Sequence, residues 1–295
     1  MLYLIGLGLS SAKDITLTGL EAVRSCSKVY LENYTSILMD SKVEELEAFY
    51  GKSIILTDRE AVENESDLII LDAVESDVSF LVVGDPFGAT THTDLLLRCV
   101  EKGIQYKVIH NVSILNAVGS SGLSLYNFGQ TVSIPFFTES WRPTSWLLKL
   151  VENLSIGLHT LCLLDIKMKE QSEENLARGR KIYEPPRLMK VSTAIEQISI
   201  ARSEESFIDK DRLLKPADKT LAVACCRLGS SSQLFLAGTL EELSLVNPER
   251  FGPPLHCLIV LGNRLNPVER DFMAKWAIDP QSWIRICKEC YGCHD

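Results

Sequence analysis

From its start to about Asn111 the chain keeps switching hydrophobic rhythm, short apolar runs giving way to helical spacing and back. "LYLIGLGL" reads as a strand and "TLTGLEAVRSC" as a helix, with Thr18 and Glu21 at capping-box spacing. "KVYLENY" returns to strand. "SKVEELEAFYG" returns to helix, with a second box at Ser41 and Glu44 and with Gly51 placed to close it. "SIILT", a charged helical stretch to about Asp72, "VSFLVVG", "HTDLLLRCVEKG" ending at Gly103, and "QYKVIHN" continue the alternation. Strands separated by helices do not pair as hairpins. They call for a parallel sheet covered on both faces, and right-handed crossovers make that one open α/β sheet.

The second half reads differently. "TVSIPFF", "HTLCLLDI", "TLAVACCRLG", "QLFLAGTL" and "PLHCLIVLG" are strand candidates with fewer helices between them, and "KVSTAIEQISIA" is the clearest helix. This pattern predicts a mixed, partly antiparallel α+β domain. A length of 295 residues suits two domains. The small, polar "NVSILNAVGSSG" marks the boundary, giving an N-terminal α/β domain over 1–112 and a C-terminal α+β domain over 113–268. "SEESFIDKDRLLKPADK" is the most solvated stretch and reads as a surface insertion.

Composition excludes several classes. The chain is 46% apolar and 23% charged, which favours a folded chain over a disordered one. Its formal net charge of −9 argues against broad nucleic-acid or anionic-membrane binding. No apolar run approaches the roughly 18 residues of a membrane span. The apolar start "MLYLIGLGL" lacks a basic leader and a cleavage site, so it reads as a first buried strand. The nine cysteines sit mostly in apolar runs, as buried free thiols of a reducing compartment do.

Two turns could carry chemistry. "GLGLSS" resembles the start of a dinucleotide fingerprint, but Ser11 stands where the third glycine belongs. Glu32 comes near the place of the ribose-binding acid without clearly filling it. A plain tight turn is the simpler reading. "VVGDPFGATTH" ends an apolar strand in Gly84, Asp85, Pro86 and Gly88. Ligands of open α/β sheets bind beyond the carboxyl ends of the strands. There the glycines would let backbone approach a ligand, and Asp85 would offer an acceptor. An Asx turn whose carboxylate satisfies only local donors explains the same residues equally well.

The longer segments resolve this choice through a resemblance. "LYLIGLGL", "VYLENYTS", "VGDPFGATTHTDL", "VIHNVSILNAVGSSGLSLYNFGQTVSIPFF", "SWRP", "HTLCLLDIKMKEQSEENLARGRKIYEPPR" and "PLHCLIVLG" are similar to the diphthine synthases, closest to their eukaryotic form, from Met1 to about Asn266. The resemblance implies a tetrapyrrole-methylase-like fold, with a parallel-sheet N-domain, a mixed-sheet C-domain and S-adenosylmethionine in the cleft. It implies cofactor contacts at Leu9, Asp85, Gly88, Ser113, Ile114, Leu164, Leu228 and His256. It further implies a cytoplasmic homodimer that methylates elongation factor 2 on a histidine already carrying a 3-amino-3-carboxypropyl group. Three methyls go to the amine, and a fourth makes a carboxyl methyl ester.

Within that chemistry no residue stands out as a strong base, because alignment and loss of solvent do most of the work. His92, His110 and His256 are weighed as proton acceptors against structural roles. Asp165 would orient the substrate amine or cap a helix. Arg142 and Arg187 would bind the substrate carboxylate or make surface ion pairs. Trp141 and Tyr183 read as packing. The end, "RICKECYGCHD", departs from the family. Cys287, Cys290, Cys293 and His294 could form a zinc set, but a single knuckle at a chain end closes no fold. No metal is expected, and 269–295 reads as a divergent, disordered tail. Methylation of a small tetrapyrrole-like molecule and a non-catalytic cofactor-binding module are the rival readings.

Overall fold

The structure is a computed structural model and describes residues 1–32, 38, 40–57, 67–168, 178, 180, 182–204 and 214–294. They fall into two compact units. The first comprises Met1–Ala117, Ile166–Arg187 and Leu228–Ser231, and the second Val118–Asp165, Leu188–Arg227 and Ser232–Asp295. The first unit thus runs on to Ala117 instead of stopping at 112, and two later segments return to it. Neither return has a periodicity that would announce it.

The first unit is built on β1 (Leu2–Gly6), β2 (Lys28–Glu32), β3 (Ile55–Thr57), β4 (Val78–Val82) and β5 (Tyr106–Ile109). Their order is β3-β2-β4-β1-β5, and every pairing is parallel. All carboxyl ends therefore lie along one edge. Right-handed crossovers place helices Leu17–Ser25 and Val43–Tyr50 on one face and helices Asp67–Glu75 and Thr93–Glu101 on the other. Two separate buried clusters match these faces. One joins Ala22, Val23, Leu46 and Tyr50 to Ile5 and Leu81, and the other joins Ile69, Ile70, Leu95 and Cys99 to Leu4 and Phe80. The chain leaves β1 toward one face and β4 toward the other. These neighbouring strands thus form the switch point where open sheets bind ligands.

The helix ends correct two sequence expectations. Helix Leu17–Ser25 is capped by Thr16, whose hydroxyl accepts from Gly19 N–H at 3.0 Å, and not by Thr18. Thr18 already lies in the first turn, whereas Thr16 has the extended backbone a cap requires. The second box, by contrast, is one residue later than expected: the Glu45 carboxylate accepts from Lys42 N–H at 3.2 Å. The Ser41 hydroxyl instead accepts from Ala12 N–H at 3.0 Å. Gly51 and Gly103 close their helices with positive φ, as expected.

The second unit holds a mixed sheet of β6 (Val132–Ile134), β7 (Thr160–Leu164), β10 (Leu221–Cys226), β11 (Leu234–Thr239) and β12 (His256–Val260). Its order is β11-β10-β12-β7-β6, parallel only between β6 and β7. β8 (Ile166–Lys167) and β9 (Arg187–Leu188) form a separate two-stranded pair. Helices Ser145–Ser155, Val191–Glu204 and Leu240–Leu245 supply much of one buried cluster against β7, β10 and β12. Most of the expected surface insertion, at 205–213, lies outside the described residues.

The C-terminal segment is ordered, contrary to the expectation of a disordered tail. It forms helices Pro267–Met273 and Pro280–Tyr291. Between them the backbone docks on the edge strand β11: Ala237 N–H donates to Trp276 O, and Ile278 N–H to Ala237 O, at 2.9 and 2.8 Å. Tyr291 is buried and its hydroxyl oxygen accepts from Leu221 N–H at 2.8 Å. Cys287 and Cys293 are buried, with Cys293 N–H closing the helix end on Cys287 O at 3.1 Å. Burial pushes the Cys287 thiol up to about 12. The segment that carries the cysteines thus covers a sheet edge.

Candidate functional site

The switch point of the parallel sheet is closed by glycines. Beyond β1 and β4, Gly8 and Gly84 exchange backbone hydrogen bonds, Gly84 N–H to Gly8 O at 2.7 Å and Gly8 N–H to Gly84 O at 3.2 Å. Both have positive φ, near +80°. A Cβ on Gly6 would stand 2.6 Å from Gly84 O, and one on Gly88 would stand 2.6 Å from the Ser113 Cβ. The strand ends and the segment after β5 can come this close only without side chains.

Asp85 organises the turn. Its Oδ1 accepts from Phe87 N–H at 2.9 Å, an Asx turn, and its Oδ2 accepts from Asn111 N–H at 3.1 Å and from His110 Nδ1 at 2.9 Å. Burial pushes the carboxyl up, but these donors prevail and hold it below the usual carboxylate range. The aspartate is therefore an ionised tie between the end of β4 and the end of β5. Asn111, which sequence reasoning missed, extends the tie. Its Nδ2 donates to Gly6 O at 3.0 Å and to Asp14 O at 2.9 Å, and its Oδ1 accepts from Val112 N–H at 2.8 Å. An Asn directly after a strand, at the mouth of a parallel sheet, is the only local signal of that role.

The resemblance's cofactor positions in the first unit come together here. Gly88 backs onto Ser113, which is buried and whose N–H donates to Asn116 Oδ1 at 2.8 Å. Ile114 starts the next short helix. Gly229, with φ +86°, sits so that a Cβ would touch the Leu9 Cβ at 3.0 Å, which brings the turn containing Leu228 against Leu9. Leu164 and His256 belong to the second unit. The antiparallel register there, with Cys257 opposite Leu163, sets them side by side at one end of the β7–β12 ladder.

The substrate candidates are less concentrated. Asp165 caps no helix: it lies between β7 and β8, and its Oδ2 accepts from Phe136 N–H at 2.9 Å. Arg142 donates to Thr138 O at 3.3 Å and pairs with Glu204 at 3.3 Å, with both side chains nearly half exposed. That is a surface ion pair. Arg187 is exposed, at the start of β9. Trp141 and Tyr183 are 53% and 43% exposed, so their packing is partial.

The dinucleotide reading fails on geometry. Where the third glycine would open a helix, Ser10 and Ser11 N–H donate to the Asp14 carboxylate at 2.8 and 3.0 Å. A carboxylate of the chain itself thus occupies the place of a pyrophosphate. Glu32 is turned inward, with its Oε2 2.9 Å from His92 Nε2 and both side chains 1% exposed.

The three weighed histidines now separate. His92 is sealed between Glu32 and Pro86 O, which takes its Nδ1 at 3.0 Å. His256 is buried with Nε2 3.0 Å from Pro253 O; burial, reinforced by Arg227, keeps its pKa low despite that carbonyl. His110 has a side chain 68% exposed and its Nδ1 on Asp85.

Comparison with known proteins gives the family and the fold. Residues 1–244 match the family described as tetrapyrrole (corrin/porphyrin) methylases. A diphthine methyl ester synthase of Saccharomyces cerevisiae is 55% identical over 284 residues, 96% of this chain and 91% of the relative. One from Neurospora crassa is 52% identical over 291 residues, 99% of each chain. That alignment runs past Asn266, where the sequence resemblance was expected to end. A crystal structure of diphthine synthase superimposes with a TM-score of 0.80 at 31% identity, covering 97% of this chain and 99% of the other. The chain is a methyltransferase of α/β fold, and it belongs to the tetrapyrrole methylase family, in the branch of the diphthine methyl ester synthases.

Proposed function

We propose that the chain methylates elongation factor 2 in diphthamide biosynthesis, using S-adenosylmethionine. The substrate is a histidine carrying a 3-amino-3-carboxypropyl group, with three transfers to the amine and a fourth to the carboxylate. The observation that carries this reading is identity above 50% over nearly the full length of relatives that bear this name.

The cradle fits the cofactor in one specific way. Gly84 and Gly88 present a turn without side chains, and Asp85 is already engaged by three protein donors. Leu9, Gly88, Ser113, Ile114 and Leu228 would then hold the cofactor through backbone groups and apolar contact, with Asp85 keeping the turn in shape. The resemblance also assigns cofactor contacts to Leu164 and His256, neighbours across the β7–β12 ladder. When bound, S-adenosylmethionine supplies a sulfonium methyl whose leaving group needs no acid. The chain's task is to align the acceptor and exclude water, which recovers on the order of 7–11 kcal/mol of barrier. Arg187 would take the substrate carboxylate and Asp165 the amine. A homodimer working in the cytoplasm completes the reading, and sedimentation and imaging of tagged protein test those two points.

The decisive experiment gives purified protein methyl-labelled cofactor and elongation factor 2 bearing the unmethylated group, followed by peptide mass spectrometry. Stepwise methyl gains on that peptide are expected. Cofactor binding without any gain would favour a small-molecule substrate or a non-catalytic module.

A further inference from the structure

Asp85 does more than shape the turn. Its Oδ2, ionised and 2.9 Å from His110 Nδ1, fixes the proton of the imidazole on Nδ1. The lone pair is then left on Nε2, and the ring carrying it is 68% exposed. Phe87, 39% exposed, flanks the ring with centroids 6.0 Å apart. A carboxylate that orients an imidazole while the far nitrogen faces outward is the arrangement of a general base. Both lie on the carboxyl edge of the parallel sheet, His110 three residues before Ser113 and Asp85 on the turn that holds Gly88. The other described histidines do not offer this combination. His92 and His256 are buried, and His159 is buried with Nδ1 accepting from Gly262 N–H at 3.1 Å. His294 ends the C-terminal segment of the second unit.

We propose that His110 is a catalytic residue, the proton acceptor for the substrate ammonium, with Asp85 holding its tautomer. This rests on the substrate reading above. An ammonium has no lone pair, so each transfer to nitrogen must first release a proton. The ammonium gives that proton to His110 Nε2. The freed amine then forms an N–C bond to the methyl as the C–S bond breaks, and the electron pair of that bond stays on sulfur. His110, being exposed, returns the proton to water before the next transfer. Three protons leave in three transfers, which uses every N–H of the starting ammonium. The fourth transfer attacks through a carboxylate oxygen, which carries no proton, so it has no need of His110.

That asymmetry is the test. His110→Asn keeps an amide that can donate to Asp85 but removes the basic nitrogen. Wild type and variant are given elongation factor 2 in two forms, one with the free amine and one already trimethylated with only the carboxylate open. The variant is expected to lose about 10²-fold in amine transfer while keeping most of its carboxyl transfer. Its cofactor affinity by calorimetry should stay close to wild type, and added imidazole should restore amine transfer to His110→Ala. Equal losses on both substrates, or amine transfer at the wild-type rate, would overturn the proposal. Wild type that binds cofactor and methylates neither form would instead overturn the substrate reading, and the proton role with it.

Discussion

In the large sheet of the first unit all five strands run the same way; in that of the second, only β6 and β7 are parallel. The consequence shows in where the polar groups go. A parallel sheet gathers every carboxyl end on one edge, so Gly8, Gly84, Asp85, His110 and Asn111 converge without any one segment encoding the site. In the mixed sheet neighbouring strands other than β6 and β7 alternate in direction. Its buried polar groups pin the fold in scattered places instead: Asn153 accepts from Gln130 N–H, Glu269 from Ser124 N–H, and Arg227 donates to Phe251 O. Strand direction thus separates a unit whose polar groups converge on one edge from one whose polar groups tie scattered loops.

Four results would break or sharpen this contrast. The largest effect should come from Glu269→Ala in the second unit. It strands the partly buried N–H groups of Ser124 and Asn266, which the carboxylate accepts at 2.8 and 3.0 Å, and removes a carboxylate that is itself buried. At about 1–3 kcal/mol for each orphaned donor, roughly 3 kcal/mol of stability should be lost in denaturant titration. A loss under about 1 kcal/mol would show that the pins are dispensable. Next, Gly88→Ala should cost about 2 kcal/mol of cofactor binding, because its Cβ would press on Ser113. Calorimetry at wild-type affinity would separate Gly88 from the cradle. Asp85→Ala should weaken the cofactor about tenfold with the fold retained, since it frees the turn but orphans only partly exposed donors. Unfolding, or an unaltered affinity, would remove its role as the tie. Smallest is Arg187→Ala at an exposed position, expected to raise the KM for elongation factor 2 by less than about 1 kcal/mol equivalent and to leave cofactor affinity alone.

The units should also answer acid differently. Burial lowers the folded-state pKa of His159, and also that of His256, so the folded second unit binds fewer protons than the unfolded chain. Their contribution is whole above about 6.5 and is lost as pH falls from there toward the lowered values. Asp85 is also lowered, but from a carboxylate's starting point, so its contribution persists until pH drops below about 3.9. All four tryptophans lie in the second unit. Their fluorescence on mild acidification should therefore show a loss of stability whose pH dependence is the same in Asp85→Asn, that variant being offset by a constant amount. A changed slope in that variant above about pH 5 would contradict the assignment.

The strands were legible because each carries its own rhythm: the ten segments of the two large sheets lie within runs that the sequence marks as strands. The Gly84–Gly88 turn was legible as a place, since glycines, an aspartate and a proline cluster there for local backbone reasons. Its function was not, because the choice between an Asx turn and a ligand acceptor depends on donors brought from residue 111. Asp85 does serve the Asx turn, and the structure adds His110 and Asn111 to it. The pairing of Glu32 with His92 and the docking of Ala277 on β11 were equally invisible, since the partners are distant in sequence. Periodicity and turn chemistry act over a few residues, so the sequence alone determined the elements, the two kinds of sheet and, through long matched segments, the family. Contacts across tens of residues cost loop entropy that only the assembled core repays. Tertiary structure therefore decided which histidine faces outward, which carboxylate is already engaged, and that the last helix is part of the fold.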